Sequence, residues 1–271
     1  MKYYRSYKSV FRCASLAALP LPETDTEDSY KLALKSAIMS HLAYMDKQVI
    51  EDYLPSNHQL TASIQEESTQ AIIVKDLDTG QEFLSFRGTC SKDFGDLKID
   101  SQVLFTKHPN GGDVHTGFYK AFKRVEAQIK TSLEGKPVCS GHSLGAALAV
   151  LFAAENNIMD IHCIGCPRVG NQKFVDGLSF VAKRFDFACD IVPSLPPAIG
   201  YKHGGDQYYI SHLGEIHLNP SSKLIIADRV NAEIEFALGH RLKPTESIIR
   251  GLVDHSILNY CEQLKAICEA D

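Results

Sequence analysis

Residues 136–145 read Lys-Pro-Val-Cys-Ser-Gly-His-Ser-Leu-Gly and run directly into a series rich in Ala and Leu that ends near Ala154. The apolar run before Gly141 predicts a short strand, and the Ala/Leu series predicts a helix. The Gly-x-Ser-x-Gly pattern between them is typical of a sharp turn that holds a serine in a strained conformation with its hydroxyl clear of the backbone. Gly141 and Gly145 lack Cβ atoms, so the helix can pass close to the strand. We therefore predict a nucleophile at Ser143; the competing interpretation is a glycine-rich turn without chemistry.

Composition limits the classes of protein that this chain can represent. Hydrophobic residues make up 44% of the 271 residues and charged residues 23%, an ordinary globular balance. The net charge of −5 argues against a nucleic-acid partner. No uninterrupted apolar run approaches the roughly 20 residues that a transmembrane helix needs. We expect neither nucleic-acid binding nor a membrane span.

The N-terminal region differs in charge from the rest of the chain. Residues 1–22 carry four Lys or Arg residues and no acid, and residues 13–19 form a short apolar run. This pattern faintly resembles a secretory signal, but its apolar part is short and Arg12 precedes it. We interpret residues 1–25 as a basic N-terminal segment, with a cleaved signal as the alternative. No linker is evident after it, so residues 26–271 are interpreted as one domain.

The eight cysteines are spread along the sequence rather than clustered. Cys163-x-x-Cys166 suggests a metal or redox site, but in a strand the two side chains would point to opposite faces, and no second pair has ligand spacing. We predict no metal site. Cysteines in strand-like runs usually behave as small buried hydrophobes, and free thiols favour the cytoplasm. Pairing among Cys90, Cys261 and Cys268, and secretion, stay open.

Hydrophobic periodicity predicts an α/β protein. Four stretches have helical spacing: residues 27–45, 116–133, 174–182 and 231–238. Strand-like runs lie at residues 71–74, 82–86, 161–166, 184–190, 208–210 and 215–218, the first two joined by a hairpin turn. Strands that alternate with helices predict a mostly parallel, twisted sheet covered on both faces.

A serine nucleophile needs a base, and the base needs an acid that holds its tautomer. In a parallel sheet such groups gather at the carboxyl ends of the strands. Asp160 precedes its strand and Asp186 lies within one, whereas Asp190 follows the end of a strand. Asp190 is therefore the best candidate acid, and a turn-capping aspartate is the competing interpretation.

The base is expected after Asp190, because the partners in this kind of sheet follow the order serine, acid, histidine. Five histidines satisfy this order: His203, His212, His217, His240 and His255. His217 lies in a strand, and His240 lies where a histidine commonly caps a helix. His255 stands in a late loop that can fold back over the sheet. Spacing favours His255 but leaves His203 as an alternative.

Two hydrogen-bond donors are needed for the oxyanion of the tetrahedral intermediate. The N–H of Leu144 is the first candidate because it opens the helix after Ser143. Thr89 is the second, because it follows the strand at residues 82–86 and offers a backbone N–H and a hydroxyl. The competing interpretation is that residues 87–89 form an ordinary strand end with a turn glycine.

Six motifs in a fixed order carry a resemblance to a known family. The motifs are Phe86-Arg87-Gly88-Thr89, Val114-His115-x-Gly117-Phe118, Gly141-His142-Ser143-Leu144-Gly145, Gly165-x-Pro167-Arg168-Val169-Gly170-Asn171, Asp190-Ile191-Val192-Pro193 and Asp254-His255-Ser256. From about residue 30 to 262 the chain resembles the class 3, fungal-type triacylglycerol lipases, which have the α/β-hydrolase fold.

The resemblance implies a role for each candidate. Ser143 is the implied nucleophile, Asp190 the acid and His255 the base, while Thr89 and Leu144 form the oxyanion hole. It also implies cleavage of carboxylic esters of lipids through an acyl-enzyme, without a cofactor, at a membrane or droplet surface. The resemblance thus decides between His255 and His203, which spacing leaves open.

The segment 90–104 departs from the family pattern. Family members commonly carry an amphipathic lid there, often with a tryptophan, whereas this segment is short and charged and the chain has no Trp. Phe94, Leu97 and Ile99 are its candidate lid or pocket residues. The alternative is a fixed connection in which residues 103–105 form a buried strand. The short lid leaves phospholipid, monoacylglycerol and smaller esters open as substrates.

Two other functions share the same residues. An acyltransferase or thioesterase would use the same three catalytic groups with a different acceptor. A non-catalytic lipid-binding protein would keep the fold without turnover.

Overall fold

The computed structural model describes residues 21–22, 29–88, 104–240 and 246–270. The strands of this part are β1 His58–Glu66, β2 Thr69–Asp76, β3 Glu82–Phe86, β4 Phe105–Lys107, β5 Asp113–His115, β6 Val138–His142, β7 Ile161–Ile164, β8 Lys183–Phe187, β9 Asp206–Ile210 and β10 Ile216–Leu218. Its α-helices are α1 Ser29–Leu42, α2 Lys47–Tyr53, α3 Thr116–Ser132, α4 Leu144–Asn156, α5 Gln172–Asp176, α6 Ser222–His240, α7 Glu246–Asp254 and α8 Ile257–Ala270.

The main sheet of the described residues has eight strands in the order β1-β2-β3-β6-β7-β8-β9-β10. Its five central strands, β3, β6, β7, β8 and β9, pair in parallel. β1, β2 and β10 pair antiparallel with their neighbours at the two edges. The prediction of a mostly parallel sheet is confirmed. The carboxyl ends of the central strands lie at one edge of the sheet, where the partners of a nucleophile are expected.

Alternating side chains of the strands fill one core on each face of the sheet. On β2, Ile73 packs with α3 and α4, while its neighbours Ile72 and Val74 pack on the other face with α1 and α8. Because successive side chains of a strand point to opposite faces, a strand buried on both sides is apolar throughout. Both faces of the sheet are therefore covered by helices.

α1 lies between the sheet and α8, and it is buried from Ala33 to Leu42 without a break. The helical spacing of residues 27–45 is typical of an amphipathic helix, but this part of α1 has no exposed face, because α8 packs against it as well as the sheet. One buried charge results: the ammonium group of Lys35 lies 3.1 Å from a carboxylate oxygen of Asp76. Such pairing is what makes a buried lysine tolerable.

Most of the remaining predicted elements are confirmed, with differences in length. The hairpin of β2 and β3, helix α3 and the last two strands match the predicted segments. α6 begins at Ser222, nine residues before the predicted start at Asn231, and α5 ends at Asp176 rather than Ala182. The alternative of a buried strand at residues 103–105 does not hold for its described residues, since β4 begins at Phe105 and the side chains of Leu104 and Phe105 are exposed; Val103 lies outside the described residues.

The two cysteines of the Cys163-x-x-Cys166 pattern correct another prediction. β7 ends at Ile164, so Cys166 lies beyond the strand and the alternation of faces no longer applies. Both side chains pack in the same core, on the face of α3 and α4. Their thiols are free, as is that of Cys261, and Cys90 lies outside the described residues.

In the described part of the chain, no helix is both long enough and apolar enough to span a membrane.

Candidate active site

The turn from β6 into α4 has the strain that the sequence predicts. Ser143 has φ 60° and ψ −128°, a region that residues with a side chain rarely occupy. A Cβ atom on Gly141 would collide with the backbone carbonyl of Gly145, and one on Gly145 would collide with the carbonyl of Phe86. The two glycines therefore let α4 start directly against β6 and β3, and this packing holds the serine in its strained turn.

Ser143 is fixed by its backbone, while its hydroxyl takes no part in the fold. Its N–H donates to the carbonyl of Ile164 at 2.9 Å, and its carbonyl accepts from the N–H of Ala146 at 3.0 Å. The buried Oγ has no hydrogen-bond partner among the described residues. A buried polar atom without a partner is costly, and such atoms concentrate where a structure has a chemical use for them.

A buried histidine–carboxylate pair lies at the same edge of the sheet. The Nδ1 of His255 lies 2.8 Å from Oδ2 of Asp190, and both side chains are almost fully buried. Asp190 also accepts hydrogen bonds from the N–H of Val192 at 2.8 Å and from the hydroxyl of Tyr260 at 2.6 Å. Three donors around one carboxylate hold its charge and its orientation.

Gly165 connects this pair to the serine turn. A Cβ atom at Gly165 would lie 2.9 Å from Oδ2 of Asp190 and 3.1 Å from Nδ1 of His255. The preceding residue, Ile164, accepts the hydrogen bond of the Ser143 N–H. The structure thus brings Ser143, Asp190 and His255 together at the carboxyl ends of β6, β7 and β8.

His142, the residue before Ser143, contacts His255. Its ring lies 4.5 Å from the ring of His255, and its Nε2 is 2.8 Å from the backbone carbonyl of His255. A carbonyl only accepts, so Nε2 carries the proton and Nδ1 accepts from the hydroxyl of Tyr44, 2.8 Å away. Burial, with the positive charge of a protonated His255 as a smaller cause, holds the pKa of His142 well below its ordinary value. His142 is a neutral ring that orients the backbone of His255.

Gly88, the residue before the predicted oxyanion-hole residue Thr89, packs against the serine turn. A Cβ atom there would collide with the Tyr44 hydroxyl and lie 3.0 Å from the Cβ of Ser143. The end of β3 is therefore packed against the serine turn. Leu144 begins α4 directly after Ser143, as predicted. Thr89 and the lid residues Phe94, Leu97 and Ile99 lie outside the described residues.

Asp254 ties the segments that carry Asp190 and His255 to each other. Its Oδ2 accepts from the N–H of Cys189 at 3.0 Å and lies 3.4 Å from Nε of Arg250. Cys189 precedes Asp190 and Asp254 precedes His255, so this hydrogen bond joins the neighbours of the two predicted catalytic residues. Burial raises the pKa of Asp254 to about 6, while Arg250 opposes the shift.

The alternative base, His203, has a different setting. Its Nε2 lies 2.7 Å from the carbonyl of Pro193, so it bonds within the loop that follows Asp190. Burial lowers its pKa to about 3. His217 lies in β10, and His240 is the last residue of α6. Of the candidates whose side chains the structure describes, His255 is the one bonded to Asp190.

Sequence reasoning missed three residues around the site: Tyr44, Tyr260 and Asp254. The sequence gives a weak signal for Tyr260, because it lies shortly after His255 in α8, the helix that contacts Asp190. Tyr44 had none, since its partner lies 98 positions away in the sequence. Asp254 belongs to the Asp254-His255-Ser256 motif, but no local sequence pattern predicts its hydrogen bond to Cys189.

The parallel sheet, the strained serine turn and the order serine, acid, histidine define an α/β-hydrolase. The chain is similar in structure to the lipase from Rhizopus microsporus var. chinensis, with a TM-score of 0.60 and 25% identity over 79% of this chain and 92% of that one. Residues 83–200 match the family profile described as lipase (class 3). The chain thus has the α/β-hydrolase fold, and its residues 83–200 are similar to the class 3 lipases.

Curated relatives cover a smaller part of the sequence. A protein of Fusarium solani described as "Secreted mono- and diacylglycerol lipase 1" is 36% identical over 116 residues, which is 37% of this chain and 35% of that protein. The lipase of Rhizopus oryzae is 31% identical over 151 residues, 47% of this chain and 38% of that protein. The chain thus aligns with less than half the length of these relatives.

Proposed function

We propose that the protein is a serine carboxylic-ester hydrolase that acts on lipid esters through an acyl-enzyme. The observation that carries this proposal is the strained Ser143, with its buried unbonded hydroxyl, beside the buried His255–Asp190 pair. The match of residues 83–200 to the profile described as lipase (class 3) supports the substrate class.

In the proposed mechanism, Nε2 of His255 takes the proton of the Ser143 hydroxyl as the oxygen attacks the ester carbonyl. Asp190 keeps the Nδ1 proton of His255 directed away from the serine and stabilises the imidazolium that forms. The imidazolium then protonates the leaving alcohol. Water attacks the acyl-enzyme in the second half of the reaction, with His255 again as the base, and the acid is released.

The oxyanion hole of the proposed site consists of the N–H of Leu144 and the backbone N–H and hydroxyl of Thr89. Leu144 supports this assignment because its N–H is the first of α4, where donors without helical acceptors point outward. Gly88 supports the assignment of Thr89, because it brings the end of β3 against Ser143.

The proposed substrates are glycerides and related lipid esters, with Phe94, Leu97 and Ile99 as the lid that admits them. The printed name of the Fusarium relative, which concerns mono- and diacylglycerols, supports partial glycerides. The short, charged segment 90–104 supports the same choice, because a small lid covers little acyl chain.

The test combines a covalent probe with a substrate panel. A fluorophosphonate probe should label the protein once, at Ser143, as identified by peptide mass spectrometry, and Ser143→Ala should prevent labelling. Purified protein should then hydrolyse soluble para-nitrophenyl esters, monoacylglycerol, diacylglycerol and triacylglycerol. Labelling without hydrolysis of any ester, but with acyl transfer to an added alcohol, would favour an acyltransferase. No labelling and no turnover would favour a lipid-binding protein.

A further inference from the structure

The long helix α6 has an unusual distribution of side chains. Its exposed side carries a row of four apolar residues spaced four apart, each between 50% and 79% exposed. The row, which we call the α6 apolar row, consists of Ile226, Val230, Ile234 and Leu238. Four-residue spacing places such side chains along one ridge of a helix. A ridge of this kind normally faces a protein core, not solvent.

Polar residues of the same helix face the domain instead. The carboxylate of Asp228 accepts from the Tyr209 hydroxyl at 2.7 Å and from the His212 N–H at 3.1 Å. Arg229 donates to the carbonyl of Ala188 at 2.9 Å. Because these polar contacts fix which side of α6 faces the domain, the apolar row faces outward.

The anchoring contacts also fix where the row lies. Arg229 donates to the carbonyl of Asp190 at 3.3 Å, and His212 follows β9. Asp190 and His212 both stand at the carboxyl ends of central strands, the edge that carries Ser143. The α6 apolar row therefore flanks the candidate active site and not the opposite edge of the sheet.

Exposed area distinguishes between the surfaces that would cover this row. The four side chains expose on the order of 400 Å² together, about half of the ~800 Å² that each partner of a stable protein–protein interface buries. A lipid surface needs no matched partner area and accepts a single apolar ridge. Besides Asp228 and Arg229, the charged residues of α6 are of both signs, Lys223 against Glu233 and Glu235, so apolar contact rather than charge would hold the row on lipid.

We propose that α6 docks the protein on a phospholipid surface through Ile226, Val230, Ile234 and Leu238. The inference rests on the proposed function, because a hydrolase of lipid esters must collect its substrate from such a surface. Docking through α6 brings the edge of the sheet that carries Ser143 to the lipid.

The natural absence of Trp gives a direct test. Ile234→Trp places the only tryptophan of the protein in the row, and Met159→Trp places it at a matched position, 58% exposed, just before β7 at the opposite edge. The probe is a vesicle of diether phosphatidylcholine, which the enzyme cannot hydrolyse. We expect the emission of Ile234→Trp to shift to shorter wavelength on vesicle addition and that of Met159→Trp to stay unchanged.

Two outcomes of this experiment overturn the proposal. An absent shift at residue 234, or equal shifts at 234 and 159, would show that the row does not enter lipid. Emission already at short wavelength before vesicles are added, and changing with protein concentration, would show that a second copy covers the row.

A pair of double variants separates docking from catalysis. Ile226→Ser with Ile234→Ser should lower vesicle affinity about tenfold or more and slow hydrolysis of an emulsified ester, with unchanged hydrolysis of a soluble short ester. Met159→Ser with Val181→Ser, two similarly exposed positions before β7 and β8, should change none of these. Hydrolysis without docking would leave the proposed function intact and refute this inference. Docking without hydrolysis of any ester would do the reverse.

Discussion

The structure contains two histidine–aspartate–tyrosine clusters with the same set of donors. In the first, Asp190 accepts from Nδ1 of His255, the hydroxyl of Tyr260 and the N–H of Val192. In the second, Asp228 accepts from Nδ1 of His212, the hydroxyl of Tyr209 and the N–H of His212. Burial raises the pKa of both tyrosines, so each hydroxyl stays protonated and donates. By these bonds alone the two clusters cannot be told apart.

What surrounds the second ring nitrogen distinguishes them. Nε2 of His212 lies 3.6 Å from a carboxylate oxygen of Glu235, so both nitrogens of this histidine face acids. His255 instead packs on His142 and Gly165, next to the strained serine turn. A histidine with a carboxylate at both nitrogens has a structural setting, whereas a general base needs one side turned to a nucleophile. A histidine–aspartate bond is therefore weak evidence of catalysis until the other nitrogen is considered.

The largest effect is expected at the two serines beside the clusters. Ser143→Ala should reduce kcat at least about 10³-fold, because the hydroxyl carries the covalent step. Ser211→Ala, next to His212, should leave kcat within about threefold, since its Oγ only accepts from the N–H of Glu215. Steady-state hydrolysis of a soluble para-nitrophenyl ester measures both. Equal losses would place the nucleophile elsewhere.

Substitution of the two histidines tests the comparison itself. His255→Ala should lose nearly as much kcat as Ser143→Ala, because the catalytic groups act as a unit. His212→Ala should keep most of the activity and lose about 1–3 kcal/mol of unfolding free energy, because Asp228 is left with fewer donors. Kinetics and urea denaturation on the same preparations separate the effects. A silent His255→Ala would overturn the assignment of the base.

Asp254 should make the stability of the first cluster depend on pH. The pKa of the Asp254 carboxyl is about 6 in the folded protein, against an ordinary value of 3.8 that applies to the unfolded chain. Between these values the unfolded chain has already released the proton that the folded chain keeps, so stability falls as pH rises through this window. Asp254→Asn removes this dependence. Relative to that variant, the wild type should lose about 2–3 kcal/mol of unfolding free energy between pH 4 and 7.

Urea denaturation at several pH values measures this difference, and the comparison with the variant cancels the other titrating groups. A relative stability that rises with pH would mean that the charge of Arg250 outweighs burial at Asp254.

The smallest difference is expected at the two tyrosines. Tyr260→Phe and Tyr209→Phe should each cost about 1 kcal/mol of unfolding free energy, because each removes one donor from a buried carboxylate. Only Tyr260→Phe should also lower kcat, by roughly 3- to 10-fold, because its acceptor holds the base. An equal effect of both on kcat would mean that the second cluster contributes to catalysis.

The serine turn was readable from the sequence because its information is local. Five neighbouring residues set the bend, and the strand and helix on either side have clear patterns. Most helices and strands were readable for the same reason, although α2 and α7 were not predicted. β1 was missed because it is an edge strand whose polar residues, such as Gln59 and Gln65, interrupt the apolar pattern.

The rest of the site depends on distant pairings. Chain order and strand ends identified Asp190, but the choice of His255 came from a family resemblance. Tyr260 and Asp254 meet their partners across 70 and 65 positions, and no spacing rule reaches so far. The early start of α6 has a local signal in Ser221, which precedes the helix. Its hydroxyl accepts from the N–H of Leu224, as that of an N-cap serine does.

The enclosure of α1 between the sheet and α8 has a consequence for biosynthesis. α1 leaves the ribosome early, but the core that buries it includes Tyr260, Cys261 and Leu264 of α8, which are translated more than 200 residues later. Until α8 arrives, one apolar side of α1 has no cover, and nascent chains with such surfaces are prone to aggregate. We expect ribosome-stalled chains that end before Ile257 to stay protease-sensitive, and chains that expose all of α8 beyond the exit tunnel to become resistant in one step.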